Sequence, residues 1–92
     1  MLEVSFTSQF KKDYKLCKKR GYDMLLLKNI INILAVPTVL PEKNRDHDLK
    51  GTYMGKRECH ILPDWLLVYK TDRNRLVLYR TGTHSDLFEK YH

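Results

Sequence analysis

The stretch KRECHILPDWLLVYKTDRNRLVLYRTG, residues 56–82, decides the fold. Lys56–Ile61 reads as a strand, closed by the pair Pro63-Asp64. Proline presets φ for a tight turn and aspartate bonds its own backbone there. Trp65–Lys70 is almost wholly apolar, the pattern of a strand covered on both faces and therefore central. A second turn at Asp72-Arg73-Asn74 leads into a third strand, Arg75–Thr81. Strands joined by turns this short run antiparallel, as a meander.

Upstream, Leu2, Val4 and Phe6 alternate with Glu3 and Ser5, the period of a half-buried strand. Thr7 or Ser8 can cap a helix carrying Phe10, Tyr14 and Cys17 at i, i+4 and i+7, and Gly21 supplies the left-handed residue that closes it. Asp23 caps a second helix, whose stripe of Met24, Leu27, Ile30, Ile31 and Leu34 ends before Pro37. Two short helices so closely joined form an antiparallel hairpin. From Pro37 to Gly55 the pattern dissolves into a long loop with at most a short ordered piece, and loops of this length in compact domains tend to be functional. After Gly82 the tail is too short to assign. The fold class is therefore α+β: a small antiparallel sheet in the order β-α-α-β-β-β, with the helical hairpin packed on one face.

Ninety-two residues make one domain, 1–92, which excludes a two-domain enzyme and argues against a deep enclosed cavity. Seventeen basic against eleven acidic residues leave a net charge of +6, and Lys11–Arg20 alone holds six basic groups to one acidic. Such an excess fits either simple solubility or a polyanionic partner. The opening Met1-Leu2-Glu3 has no secretory pattern, no apolar run approaches a membrane span, and the two cysteines, Cys17 and Cys59, suit buried positions in a reducing cytoplasm.

Chemistry is expected on the sheet face away from the helices. Glu58 and His60 share that face, and Asp64, just past the turn, is placed to orient the His60 imidazole or to make a merely structural hydrogen bond with it. One end of a meander collects the end of its first strand, the start of its second and the end of its third. His60, Asp64, Arg80 and His84 therefore fall near one edge, and the long loop can bring His47 back over it. Metal binding is disfavoured, since no two histidines stand three or four residues apart. Ser85 lies on no nucleophile elbow, and no glycine-rich phosphate loop is present. Acid–base chemistry on a phosphodiester remains. RNA carries its own nucleophile, so a base, an acid and a cation suffice, and Trp65, Tyr53 and Phe88 are candidate stacking groups for bases.

Taken in order, Asp46-His47-Asp48-Leu49-Lys50-Gly51, then Arg57-Glu58-Cys59-His60-Ile61-Leu62-Pro63-Asp64-Trp65-Leu66-Leu67-Val68-Tyr69, then Arg80-Thr81-Gly82-Thr83-His84-Ser85-Asp86-Leu87-Phe88 resemble YafQ-type toxins of the RelE superfamily. The resemblance implies a RelE-like fold and a cofactor-free, metal-independent endoribonuclease cutting mRNA on the ribosome, at the decoding site of the small subunit. It also implies a cognate DinJ- or RelB-like antitoxin, through which alone the toxin would meet operator DNA. His47, His60, Asp64 and His84 match catalytic positions; Arg80 matches a position meeting the scissile phosphate, and Phe88 one contacting mRNA. Lys50 and Arg57, from the same motifs, join them on the substrate side. The roles expected are His84 as general acid and His47 as general base, with His60 and Asp64 stabilising charge or sharing the base role. The lysine-rich first helix, Lys11 to Arg20, fits either ribosomal RNA contact or a simply solvated face, and Glu89–His92 extends past the family's usual end without a role. Two other readings compete: a ParE-like toxin that binds DNA gyrase, which would not need the histidines, and a small basic RNA-binding module.

Overall fold

The computed structural model describes residues 2–36 and 41–88. Its elements are β1 (Glu3–Phe6), α1 (Ser8–Lys19), α2 (Met24–Ala35), β2 (His47–Asp48), β3 (Arg57–Leu62), β4 (Trp65–Thr71), β5 (Arg75–Gly82) and α3 (His84–Phe88), with 3-10 turns at Glu42–Asn44 and Gly51–Tyr53. The α+β expectation holds, and both helices begin at the anticipated caps. Thr7 accepts from the Phe10 backbone N–H, and Asp23 accepts from that of Leu25.

The sheet is five-stranded, in the order β1-β5-β4-β3-β2. The meander β3-β4-β5 and its pairing with β2 are antiparallel, but β1 joins β5 in parallel, so the sheet is mixed rather than purely antiparallel. A parallel pair needs a long crossover, and everything between β1 and β5 provides one. Where β1 stops at Phe6, β5 runs on to Gly82, and the entry to α1 takes over as its edge partner. Leu78 accepts from the Thr7 backbone N–H at 3.1 Å, Tyr79 accepts from the Thr7 hydroxyl, and the buried Asp13 carboxylate accepts from the Thr81 N–H at 3.1 Å.

The main core lies between the helical hairpin and the sheet. Phe10 and Cys17 of α1 and Leu27, Ile30 and Leu34 of α2 meet Cys59, Ile61, Trp65, Leu67, Tyr69, Leu76 and Leu78. Trp65 belongs to this core, not to a stacking surface: Tyr22 packs on it at 4.8 Å, and its Nε1–H donates to Thr81 Oγ1 at 2.9 Å. Burial pushes the Cys17 thiol up to about 11 and the Cys59 thiol up to about 12, as suits cysteines that serve as small apolar groups. The opposite face is only partly open. Leu66, Val68 and Leu87 form a second cluster there, with Leu49, Tyr53 and Tyr79 packed against it. Apolar demand on both faces explains why β4 is a continuous hydrophobic run.

The tail is ordered by its own chemistry. The Thr83 hydroxyl accepts from the Asp86 N–H at 3.0 Å, and Asp86 accepts from the Thr83 N–H at 2.9 Å, a reciprocal cap that starts α3. Glycine is required just before it: a Cβ on Gly82 would stand 2.7 Å from Asp86 Oδ2. The long loop is also pinned, because the Arg57 guanidinium donates to Asp46 at 3.1 Å and to Asp48 at 2.6 Å across the short β2–β3 pair. Glu89–His92 and part of the loop, 37–40, lie outside the described residues.

Candidate active site

In the β2–β3 pair, His47 stands opposite Glu58, and His60 follows Glu58 two residues along the same face. That register places one buried carboxylate between two imidazoles. Glu58 is 4% exposed. Its Oε1 lies 3.3 Å from His47 Nε2 and 3.4 Å from His60 Nε2. The other nitrogen of His47, Nδ1, lies 2.7 Å from the Arg45 carbonyl oxygen. The His47 and His60 rings are 6.4 Å apart, and buried Asn44 braces the latter's backbone by donating to the His60 carbonyl.

α3 carries the third imidazole. His84 is its first residue, and its ring sits 5.6 Å from that of His60, edge to face. Asp64, in the β3–β4 turn, accepts from the His84 backbone N–H at 2.9 Å and lies 2.6 Å from its Nδ1. The backbone N–H and then the ring of His84 hold the Asp64 carboxyl below its ordinary value. With an acceptor at Nδ1, the ring keeps a proton there and leaves Nε2 for a substrate.

The sequence-predicted residues thus gather, but with a change of partners. Asp64 holds His84, not His60; the carboxylate beside His60 is Glu58. The β-turn directs Asp64 outward toward the start of α3, whereas Glu58 is carried onto the His60 face by strand alternation. Glu58 was visible as a face-mate of His60, but its link to His47 depends on β2, which no sequence pattern announced.

Arg80 is held by Asp13 and Tyr53. Its Nε and Nη2 donate to Asp13 at 2.7 and 3.3 Å and its Nη1 to the Tyr53 hydroxyl at 3.2 Å, leaving two of its five N–H donors for another partner. Tyr53 also meets Phe88 edge to face at 5.5 Å. Phe88 is 39% exposed and lies one turn beyond His84 on the same side of α3. Arg57 is tied to the loop carboxylates through Nε and Nη1, and Lys50 is exposed at the start of a 3-10 turn. A groove of about 380 Å³ borders His60 and is rimmed by Lys43 and Arg45. Among the described residues, no grouping of histidine, cysteine and carboxylates has the disposition of a metal centre. No described helix is long and apolar enough to cross a membrane.

A mixed sheet with one helical layer is a fold that solved bacterial toxins share. The crystal structure of YafQ from Escherichia coli BL21(DE3) superposes with a TM-score of 0.91 at 39% identity, covering 97% of this chain and 100% of that one. YafQ in the E. coli DinJ–YafQ complex gives 0.89 at 39%, over 97% and 100% of the two chains. The curated mRNA interferase toxin YafQ of E. coli K12 is 41% identical over 87 residues, 94% of this chain and 95% of its own length. A family described as the YafQ bacterial toxin of type II toxin–antitoxin systems matches residues 2–89. The chain belongs to that family and is the toxin component of such a system.

Proposed function

We propose that the protein is a metal-independent endoribonuclease that cuts mRNA on the ribosome by attack of the 2′-hydroxyl on the neighbouring phosphate. The observation that carries this reading is the His84–Asp64 unit, with its 2.6 Å contact, set beside the His60 and His47 rings. His84 donates a proton from Nε2 to the leaving 5′-oxygen, and Asp64 keeps the ring oriented. The base lies in the His47–His60 pair. Positioned acid and base each supply on the order of 10²–10⁴ in rate. The free N–H groups of Arg80 face the phosphate charge, with Lys50 on the same substrate side, and Phe88 against Tyr53 offers a surface on which a base stacks. Arg57 serves the substrate indirectly, by fixing the loop that carries His47.

Dependence on the ribosome is supported by a shallow site and an exposed lysine face on α1, which together suit a large RNA surface better than a free strand. The name mRNA interferase, borne by the 41% identical E. coli relative, supports the reaction class. The DinJ–YafQ complex supports inhibition by a cognate antitoxin of the DinJ kind. The test is cleavage of mRNA on programmed ribosomes by wild type and His84→Ala, with EDTA and with ribosomes omitted. Cuts that need the ribosome and His84 but survive EDTA are expected. Absence of cuts from folded wild-type protein rejects the reading in favour of a binding toxin.

A further inference from the structure

We propose that Asp13 of α1 is a positioning residue of the nuclease. With the Tyr53 hydroxyl it fixes the Arg80 guanidinium on the histidine-bearing face of the sheet, so that the two N–H groups left free meet the scissile phosphate. The proposal rests on the nuclease reading above.

A break in the strand register puts Arg80 on this face. Leu76 and Leu78 of β5 point into the main core, and strict alternation would send Arg80 after them. Tyr69 pairs with Leu78, however, while Val68 pairs with Arg80, so Tyr79 is the extra residue of a β-bulge. Arg80 therefore stands opposite Val68, which belongs to the second cluster on the face away from the helices. Thr81 stands opposite Leu67 of the main core. The row that begins at Arg80 and Val68 continues to Glu58 and then to His47. His60 lies in the next row, opposite Leu66, which in turn faces Gly82. The bulge thus gives β5 a cation on the same face, and in the same row, as the imidazole of β2.

Two tethers then fix how that cation points. Asp13 accepts from four donors: Arg80 Nε at 2.7 Å, Arg80 Nη2 at 3.3 Å, the Thr81 N–H at 3.1 Å and the Gln9 amide at 3.0 Å. A carboxylate has about four lone-pair sites, so none remains for a substrate group. Side-chain exposure is 9% at Asp13 and 23% at Arg80, which closes the pair on the carboxylate side and leaves it open on the guanidinium side. Nη1 donates at 3.2 Å to the Tyr53 hydroxyl, which donates at 3.4 Å to the Leu87 carbonyl of α3. The guanidinium is held at both ends, by α1 and by a turn that also touches the helix carrying His84. One N–H on each Nη stays free. An untethered arginine would have to order itself as negative charge gathers on the phosphate. Donors fixed beforehand do not, and they act most strongly in the transition state.

A double-mutant cycle tests the assignment, read as single-turnover cleavage on programmed ribosomes over a range of toxin concentrations. Asp13→Asn keeps an acceptor for the Thr81 N–H but withdraws the charge from Arg80. It should lower the maximal rate about tenfold or more and leave half-saturation within about twofold, because the charge on the phosphate develops in the transition state. Arg80→Ala should lower the maximal rate about a hundredfold. With Arg80→Ala already present, Asp13→Asn should slow cleavage less than about twofold further. An equal loss with and without Arg80, or a loss confined to half-saturation, overturns the proposal and leaves Asp13 a support of the fold. Should Asp13→Asn fail to fold by circular dichroism, Tyr53→Phe takes its place in the cycle. That variant removes only the hydroxyl, keeps the ring against Phe88, and should slow cleavage about threefold with Arg80 present and not without it. Wild type that cuts while the cycle shows no coupling defeats this proposal alone; wild type that never cuts defeats the nuclease reading as well.

Discussion

Arg20, the residue that ends α1, grips Asp86 in the first turn of α3 through contacts of 2.7 and 3.1 Å. Asp86 is also half of the cap that starts α3 at His84. A residue of the basic helix thereby steadies the imidazole proposed as the acid, although Arg20 touches neither the ring nor the groove. Arg20→Gln should lower stability by less than about 1 kcal/mol, as for other partly exposed ion pairs, yet reduce ribosomal cleavage several-fold. Cleavage kinetics beside a urea titration would separate the two effects, and an unchanged rate would leave Arg20 a surface pair.

Asp86 gives a pH prediction with a definite sign. The Arg20 guanidinium, followed by the Thr83 N–H, holds the carboxyl at about 2, against an ordinary 3.8. A depressed folded-state value stabilises above the unfolded-state value, and that stability is lost as pH falls through the folded one. Wild type should therefore exceed Asp86→Asn in urea midpoint at pH 5 to 7, and the gap should close between about pH 4 and 2. A gap that persists at pH 2 would assign the effect to packing.

Gly82→Ala should act through the same joint. The new Cβ would stand 2.7 Å from Asp86 Oδ2, so Asp86 must leave its cap or its arginine. A loss of about 1 kcal/mol, of the size of a lost helix cap, corresponds to a melting point lower by roughly 4–8 °C in a domain this small. Calorimetry decides, and an unaltered melting point would show that the cap yields freely.

Asp64→Asn removes the charge behind His84 at an exposed position. Folding stability should barely change, while cleavage should fall by roughly 10² or more as the ring loses its anchored proton. Equal losses in stability and rate would contradict a positioning role.

The lysine face of α1 can be tested without disturbing the joint, provided Arg20 is left in place. Lys15, Lys18 and Lys19 are exposed. Their replacement by Gln should weaken ribosome binding and flatten the logarithmic salt dependence by roughly two to three, about one per charge removed. Salt dependence that stays steep would place the RNA contact elsewhere.

Much of this molecule was legible in the sequence because its signals are local. Thr7 and Asp23 announce their helices, Pro63-Asp64 announces a turn, and the apolar run of β4 announces a central strand. What stayed hidden depends on partners far along the chain. The parallel placement of β1 on β5 has no local mark. The Thr83–Asp86 cap was present as a pattern but opens a helix of only five residues, too short to stand out by periodicity. The four catalytic candidates were found as a set, whereas their pairing was not: Asp64 lies nearer in sequence to His60 yet serves His84. Chain proximity is a poor guide where a turn sends one side chain outward and a strand carries the next onto a face.

The joint between Arg20 and Asp86 spans 66 positions of the chain. A growing polypeptide can form its helical hairpin, and even the pair His47 and His60, while α3 is still unmade. Until residues 84–88 emerge and dock on Arg20, the third imidazole has no place to stand. The grouping of the three imidazoles is therefore completed only when α3 docks on Arg20. Fraying of one five-residue helix would undo that placement while the sheet and core remain whole.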